Sequence, residues 1–309
     1  MAPDRSLSSI DGRSNTCQFS ELESRLAGAL SEIQKNTQML KNSAAINANT
    51  MCLPLSVIII TMNEAGNLKD CLDSVADIAA EVIVVDSGST DGTVEIARSA
   101  GATVIQTSIW PGFGPQKNIA LNAATCDWVL SLDADERLTE PLRDQIRSAM
   151  MSGVFDSYEM PRLSYFCGKP IRHGGWYPDH VLRLFRRERA RFSDDLVHEH
   201  VIAEGKVGTL DSPLHHYSYR KMADVERKIK SYSEAGARQL FARGKRSTFV
   251  NAITHGAWAF LRTYVFRRGF LDGRAGYRIA QMNGRSSYLK YAKLIQLYKR
   301  NTPANKIKT

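Results

Sequence analysis

Between residues 55 and 133 the chain alternates short apolar runs with segments of helical spacing, and this alternation restricts the fold more than any other feature. Leu55–Ile60 is an unbroken, largely β-branched run, which is typical of a strand buried on both faces. The same pattern predicts further strands at Glu81–Val85, Ala102–Gln106 and Asp127–Leu132, and helices at Asn63–Ala76, Thr93–Ala100 and Gln116–Ala124. Strands that alternate with helices predict βαβ units and a mostly parallel sheet.

A different pattern follows from about residue 157. Short strand-like segments at Tyr158–Arg162, Val181–Phe185 and Val207–Leu210 are separated by glycine-containing turns, which predicts an antiparallel extension of the sheet. After Tyr219 the strand signal ends and an apolar stripe of helical period begins, broken at Gly269. The predicted fold class is therefore α/β, with a Rossmann-like mixed sheet flanked by helices and a C-terminal helical region.

Three parts of the chain are expected: an N-terminal arm at 1–52, a sheet domain at 53–219 and a basic helical region at 220–309. Ser, Asn and Thr dominate both ends of the arm, and its middle predicts one amphipathic helix from Leu22, Leu26, Leu30 and Ile33. A translation start at Met51 is the alternative explanation of the arm.

Charge is divided unevenly along the chain. The formal net charge is +9, but residues 220–309 hold 21 Lys and Arg against 4 Asp and Glu, a net of +17. The preceding 219 residues are therefore acidic, with a net of −8. The basic residues of the C-terminal part are interleaved with aromatic ones, which favours an anionic partner: nucleic acid, a membrane surface or a phosphorylated glycan.

The cysteines and the hydropathy of the chain indicate the cellular compartment of the protein. The five cysteines are scattered and form no C-x-x-C pair, which is typical of reduced cysteines in the cytoplasm. Residues 1–49 lack the apolar core of a signal peptide, and no apolar run reaches the roughly 18–20 residues of a spanning helix. We expect a cytoplasmic protein that can lie on a membrane without crossing it.

Polar residues follow three of the predicted strands at the point where each strand ends. These segments are Thr61–Glu64, Asp86–Gly92 and Asp133–Glu136. Ligands of parallel sheets bind beyond the carboxyl ends of the strands, so the three segments are expected to share one site. Two carboxylates one residue apart can hold Mg²⁺ or Mn²⁺, and such a metal offsets the charge of a departing diphosphate. The Ser- and Gly-rich turn lets backbone approach a nucleotide, and Asp86 can accept hydrogen bonds from a base or a ribose.

Taken in order, these motifs resemble the family 2 glycosyltransferases, which have the GT-A fold. The resemblance covers roughly residues 53–216 and rests on Thr61–Glu64, Val84–Thr93 and Leu132–Glu136. Later elements resemble bacterial enzymes that glucosylate the inner core of lipopolysaccharide: Trp176–Asp179, Leu182–Arg187, Val197–Glu199, His216–Tyr219 and Gly269–Arg274.

The resemblance implies a UDP-sugar donor and inversion at the anomeric carbon. It implies that Thr61, Asn63 and Glu64 line the nucleotide pocket, that Asp86 contacts the uracil or ribose, and that Asp133 with Ala134 contacts the ribose or the metal shell. It also implies that Asp135 ligates the metal. Lys117 lies at the place of a basic family element near the nucleotide, so it could reach the base or phosphate; an exposed lysine at a helix start is the alternative.

An inverting transfer needs a base for the acceptor hydroxyl, and the Glu-Asp pair that many family members use for this is absent here. The candidates are Asp179, Asp194, Asp195 and Glu199. Glu199 is favoured because it lies in a strand-like segment, although His198 and Glu199 could instead form a structural pair. His216 could be a further metal ligand or contact the diphosphate, and His215 would face the other way on a strand.

The leading hypothesis is a metal-dependent, inverting transferase that moves a sugar, expected to be glucose, to the lipopolysaccharide inner core or a related membrane-anchored glycan. It would act at the inner face of the bacterial inner membrane. One alternative keeps the donor and changes the acceptor to a polypeptide or another polysaccharide. A second is a nucleotide- or nucleic-acid-binding protein without transfer activity, which is disfavoured because it leaves the acidic strand ends without a role.

Overall fold

The structure, a computed structural model, describes residues 54–107, 110–193, 200–220 and 222–301. The predicted amphipathic helix of the arm lies outside these residues. Twelve strands occur in the described ranges: β1 Leu55–Thr61, β2 Glu81–Asp86, β3 Thr103–Gln106, β4 Trp128–Asp133, β5 Glu136–Arg137, β6 Ser157–Phe166, β7 Lys169–Pro170, β8 His180–Arg186, β9 Ala190–Phe192, β10 Val201–Ala203, β11 Val207–Thr209 and β12 Leu214–Tyr219.

Seven α-helices occur in the same ranges: α1 Ala65–Asp73, α2 Thr93–Ser99, α3 Phe113–Ala123, α4 Glu140–Ser152, α5 Met222–Ala242, α6 Phe249–Leu261 and α7 Gly273–Asn301. A π-helical turn at Arg262–Phe266 and a 3₁₀ turn at Gly269–Asp272 join α6 to α7. None of the helices in the described part of the chain is long and apolar enough to span a membrane.

The main sheet has the strand order β3-β2-β1-β4-β8-β6-β12-β5. Strands β1 to β4 are parallel to one another, and β8 is antiparallel to both β4 and β6. This mixed sheet with flanking helices and a C-terminal helical region confirms the predicted fold class. The expected antiparallel extension is only partly correct, because β11 and β12 pair parallel with β6. Register and direction of these short strands depend on long connections that local sequence patterns do not encode.

Apolar clusters cover both faces of the sheet. One contains Leu68 and Leu72 of α1 with Leu142 and Ile146 of α4, and the other contains Ala120 and Leu121 of α3. The strands between them are apolar on both faces, which explains the unbroken run of β1. Helix α4 was absent from the sequence prediction, although Thr139 caps it by accepting a hydrogen bond from the Leu142 N–H at 3.3 Å.

The C-terminal helices pack onto the sheet through a third apolar cluster. Phe166 of β6 and the neighbouring Ile171 contact Val225 and Ile229 of α5 and residues of α7. Asp272 adds a polar connection, since its carboxylate accepts hydrogen bonds from the backbone N–H groups of Arg172 at 3.3 Å and His173 at 2.8 Å. The 3₁₀ turn is therefore fixed to the loop that follows β7.

Candidate active site

The carboxyl ends of β1, β2 and β4 meet at one edge of the sheet. In the strand register Thr61 lies opposite Asp86, and Ile60 lies opposite Asp133. The three polar segments predicted from the sequence therefore lie together, because parallel neighbours bring equivalent ends to one edge.

Asp86 organises the turn after β2. It is fully buried, and its carboxylate accepts hydrogen bonds from the Thr61 hydroxyl at 2.9 Å and from the backbone N–H groups of Gly88 and Ser89 at 3.0 and 2.8 Å. Gly88 has a φ of +85°, a conformation that glycine adopts without strain. In this structure both carboxylate oxygens thus accept from the chain itself, and a contact of Asp86 with the base or ribose stays a prediction.

Asn63 and Glu64 connect this turn to the start of α1. The Asn63 side-chain oxygen accepts a hydrogen bond from the Thr90 N–H at 2.9 Å, and Asn63 has a left-handed φ of 58°. The Glu64 carboxylate accepts a hydrogen bond from the Asn67 amide at 2.7 Å. Burial raises the pKa of Glu64, and the nearby negative charge of Asp135 raises it further against that hydrogen bond. Both residues border the edge where a nucleotide was predicted.

Asp133 is held between two cations. Its two carboxylate oxygens lie 2.9 Å from Lys117 Nζ and 2.6 Å from Arg183 Nη2. Burial favours the neutral acid, but the charges of Arg183 and Lys117 outweigh it and hold the pKa of Asp133 well below its usual value. Lys117 is only 2% exposed, so the alternative of an exposed lysine at a helix start is wrong.

The ion pair at Asp133 continues as a chain of alternating charges. Arg183 also lies 2.7 Å from the fully buried Glu136, which is 3.5 Å from Arg162, and Arg162 in turn pairs with Asp179 at 2.6 Å. Arg183 lies within the Leu182–Arg187 motif, but the sequence alone assigned no role to it. Its signal was a charged residue directly before the buried Leu184 and Phe185 of β8, a position that requires a charged partner.

Asp135 and His216 form a second, partly exposed pair, with side chains that are 24% and 17% exposed. His216 Nε2 lies 3.4 Å from the Asp135 carboxylate, and its Nδ1 lies 3.0 Å from the Ser164 hydroxyl. The Tyr217 N–H donates to the Asp135 carbonyl at 2.8 Å and fixes the two segments. Ala134 between the two aspartates is 4% exposed and packs in an apolar cluster, so only its backbone can face a ligand.

His215 lies away from this pair, as alternation along a strand predicts. Its ring packs against Tyr165 with centroids 5.2 Å apart. Burial lowers the pKa of His215, and the charges of Arg137 and Arg172 add to that effect. Only His216 of the two histidines reaches Asp135.

This edge fits a divalent metal only if substrate oxygens supply some of its ligands. In the described ranges no three His, Cys, Asp or Glu residues converge as a complete metal site. Asp133 is already neutralised by two cations, which makes it a poor ligand. Asp135 and His216 offer one carboxylate and one imidazole, and Mg²⁺ or Mn²⁺ commonly completes such a small set with substrate oxygens and water.

The predicted catalytic residues Glu199 and Asp195, together with Asp194, lie outside the described residues. The remaining candidate, Asp179, is 45% exposed at its side chain and is bound by the Arg162 guanidinium.

A cavity of about 390 Å³ opens beside Asp133. Its charged and polar lining is mainly basic, with Lys117, Arg162, Arg183, His180 and His200. This composition suits an anionic or hydroxyl-rich group next to the strand ends.

The sequence is similar to those of known glycosyltransferases. Residues 56–155 match the family model described as "Glycosyl transferase family 2". An uncharacterized glycosyltransferase of Rickettsia bellii is 32% identical over 268 residues, which cover 82% of this chain and 90% of the relative. The lipopolysaccharide core biosynthesis glycosyltransferase LpsC of Rhizobium meliloti is 34% identical over 257 residues, covering 79% and 93%. Among solved structures, S. aureus TarS 1-349 in complex with UDP-GlcNAc matches with a TM-score of 0.42 and 16% identity, over 80% of this chain and 92% of that one.

Proposed function

The chain belongs to glycosyl transferase family 2, and from that membership we propose that it transfers a sugar from a UDP-sugar to the inner core of lipopolysaccharide or a related membrane-anchored glycan. We expect the sugar to be glucose and the anomeric carbon to be inverted. The observation that carries the proposal is the pairing of Asp135 with His216 beside the Lys117–Asp133–Arg183 cluster, at the edge where Asp86 shapes the turn after β2.

The two aspartates of the Asp133–Asp135 segment have separate tasks in this proposal. Asp133, kept ionised by Lys117 and Arg183, positions the ribose and holds the end of β4 rigid. Asp135 and His216 would hold Mg²⁺ or Mn²⁺, which supplies positive charge to the leaving diphosphate when bound. Separating these tasks explains why one aspartate is paired with two cations whereas the other lies beside a single histidine.

Donor and acceptor sides are also distinct in this proposal. The turn after β2, together with Asn63 and Glu64, lines the nucleotide side. The basic cavity lined by Arg162 and His180 beside Asp133 would receive the acceptor and its phosphate groups. The base that takes the acceptor proton is Glu199, with Asp195 as the second choice.

In this proposal the sheet domain and the basic helical region have separate tasks. Residues 53–219 hold the donor site, and the basic helices of residues 220–309 face the acceptor and the membrane. The similarity to LpsC, a protein named for lipopolysaccharide core biosynthesis, supports this acceptor class. The protein would then work at the inner face of the bacterial inner membrane.

Purified full-length protein, incubated with UDP-glucose or other UDP-sugars and with core glycolipid from cells lacking the gene, tests the proposal. We expect transfer that EDTA abolishes and Mn²⁺ or Mg²⁺ restores. Asp135→Asn should lower kcat by about 100-fold or more, because it removes charge stabilisation of the leaving group. Asp77→Asn is the matched control, since Asp77 pairs with Arg143 and Arg147 away from the site.

Two results would contradict the proposal. The first is full activity of Asp135→Asn. The second is an unchanged mass of the core glycan in cells lacking the gene, which would favour a polypeptide or another polysaccharide as acceptor.

A further inference from the structure

Helix α6 carries apolar side chains on two opposite faces, and the described residues cover only one of them. Its thirteen residues include no Asp, Glu, Lys or Arg. Ala252 and Gly256 are buried, and Gly256 approaches Gly284 and Tyr288 of α7 closely enough that a Cβ would lie 3.1 and 3.0 Å from their atoms. A helix that is apolar all round is normally enclosed on all sides.

The opposite face of α6 is open. Five large apolar side chains are exposed there and in the adjoining π turn, and we call them the α6 face: Val250 66%, Trp258 54%, Leu261 45%, Val265 47% and Phe266 67%. The Trp258 and Phe266 rings lie 5.5 Å apart, which makes the face continuous from the helix into the turn. Scattered exposed apolar residues need no explanation, but a contiguous group of this kind marks an interaction site.

The charges around the α6 face identify its partner. Residues 243–278 contain eight Lys and Arg and a single acidic residue, Asp272. Asp272 is 9% exposed at its side chain and is committed to His173. Arg243, Lys245 and Arg246 precede the helix, and Arg262, Arg267 and Arg268 follow it; all six are exposed. An apolar face flanked by cations suits an anionic bilayer surface.

A second copy of the chain fits less well. A symmetric dimer through this face would place the basic flanks of one copy near those of the other, since a two-fold interface pairs a surface with itself. Like charges at that distance oppose association. The length of α6, about 20 Å, also suits a helix lying in the plane of the interface and not one crossing it.

We infer that the α6 face docks on the anionic surface of a lipid bilayer, with Trp258 and Phe266 inserted among the lipids and the flanking arginines on the phosphates. The inference rests on the proposed function, because a membrane-anchored acceptor would bring the protein close to a bilayer. It adds which residues make the contact.

The docking face is mechanically tied to the candidate active site. The Gly174 N–H donates to the Arg267 carbonyl at 2.8 Å, and Asp272 holds the backbone of residues 172 and 173. That loop leads to Asp179, whose partner Arg162 lines the basic cavity. A glycolipid in the same bilayer would therefore be held on the acceptor side of the cavity.

Sedimentation of the full chain with lipid vesicles, in the absence of any donor, tests the inference. We expect binding to vesicles of equal parts phosphatidylcholine and phosphatidylglycerol, weaker binding at high salt, and little binding to phosphatidylcholine alone. The double variant Trp258→Glu, Phe266→Glu should lower the partition coefficient roughly tenfold or more. Arg267→Ala with Arg268→Ala should lower it roughly tenfold on the anionic vesicles only.

The matched control is Met151→Glu with Val154→Glu, which places the same charges at apolar side chains that are 72% and 68% exposed at the end of α4. This control should bind vesicles like the wild type. Equal binding by the α6-face variant and the control overturns the inference, and so does a wild-type protein that ignores phosphatidylglycerol. A dimer in sedimentation velocity that the Trp258→Glu, Phe266→Glu variant loses, without vesicle binding, assigns the face to a second copy instead.

The vesicle assay and the transfer assay fail independently. Vesicle binding without any sugar transfer would reject the proposed function and keep the docking face. Transfer to a soluble, delipidated core glycan without vesicle binding would keep the proposed function and reject the docking face.

Discussion

Proteins usually expose charged side chains and bury large apolar ones. The sheet edge at β4 and the outer face of α6 depart from this distribution in opposite directions. At the sheet edge, charged side chains are enclosed: Lys117, Arg183 and Glu136 are 2%, 7% and 0% exposed. On α6, large apolar side chains such as Trp258 and Phe266 are exposed. Each arrangement costs folding free energy unless another interaction offsets it.

The two regions differ in where that offset comes from. The buried charges satisfy one another inside the protein, through the series Lys117–Asp133–Arg183–Glu136. The α6 face has no such partner within the described residues and needs one from outside. The comparison therefore predicts that substitutions at the sheet edge change stability strongly, whereas substitutions on the α6 face change it very little.

Arg183→Met should have the largest effect on stability. It leaves the carboxylates of Asp133 and Glu136 without their shared cation, and breaking a buried ion pair in this way costs about 3–5 kcal/mol. Urea unfolding at neutral pH measures the loss. Arg183→Lys is the control and should lose less, since it keeps the charge. A loss below about 1 kcal/mol would place the network among weak surface pairs.

Gly276→Ala should destabilise the packing below the α6 face by about 1–3 kcal/mol. A Cβ at Gly276 would overlap the Gly269 carbonyl oxygen, which belongs to backbone and cannot move aside as a side chain can. Gly236→Ala in α5 is the matched control, because its Cβ meets only the flexible Lys290 side chain and gains helix propensity. Thermal unfolding of the two variants should shift in different directions or by clearly different amounts.

Asp133→Asn should lose about 2 kcal/mol at neutral pH, and the difference from wild type should shrink in acid. Asp133 has a folded pKa below its unfolded value, so its charge stabilises the protein above about pH 4 and that contribution fades as pH falls further. Urea midpoints at about pH 7 and about pH 3.5 compare the two proteins. A difference that stays constant between them would mean that Asp133 does not carry the linked proton.

Trp258→Gln should have the smallest effect, within about 0.5 kcal/mol of wild type in the absence of lipid. The side chain is 54% exposed, so little of it leaves water on folding. Leu142→Ala in α4, where Leu142 is fully buried, is the contrasting control and should cost about 2–5 kcal/mol. A large loss in Trp258→Gln would show that the α6 face packs against the protein itself.

Much of the first half of the fold follows from local patterns. The mostly apolar run of β1 and the polar residues directly after β1, β2 and β4 indicated a parallel sheet with a site at one edge. The pairing of Asp135 with His216 depends on β12 returning beside β5, a contact across about eighty residues. No periodicity of the sequence encodes such a return, which is why His216 could only be proposed as one of two histidines.

The sequence alone determined the fold class, the family and the set of carboxylates at the strand ends, because these depend on local hydropathy and on short ordered motifs. Only the tertiary structure decided that Asp133 pairs with Lys117 and Arg183 whereas Asp135 pairs with His216, since these partners come from elements that are distant along the chain. It also decided that, among the described residues, α7 covers the Ala252 and Gly256 side of the uncharged α6 whereas Trp258 stays exposed, because burial depends on what packs against a helix.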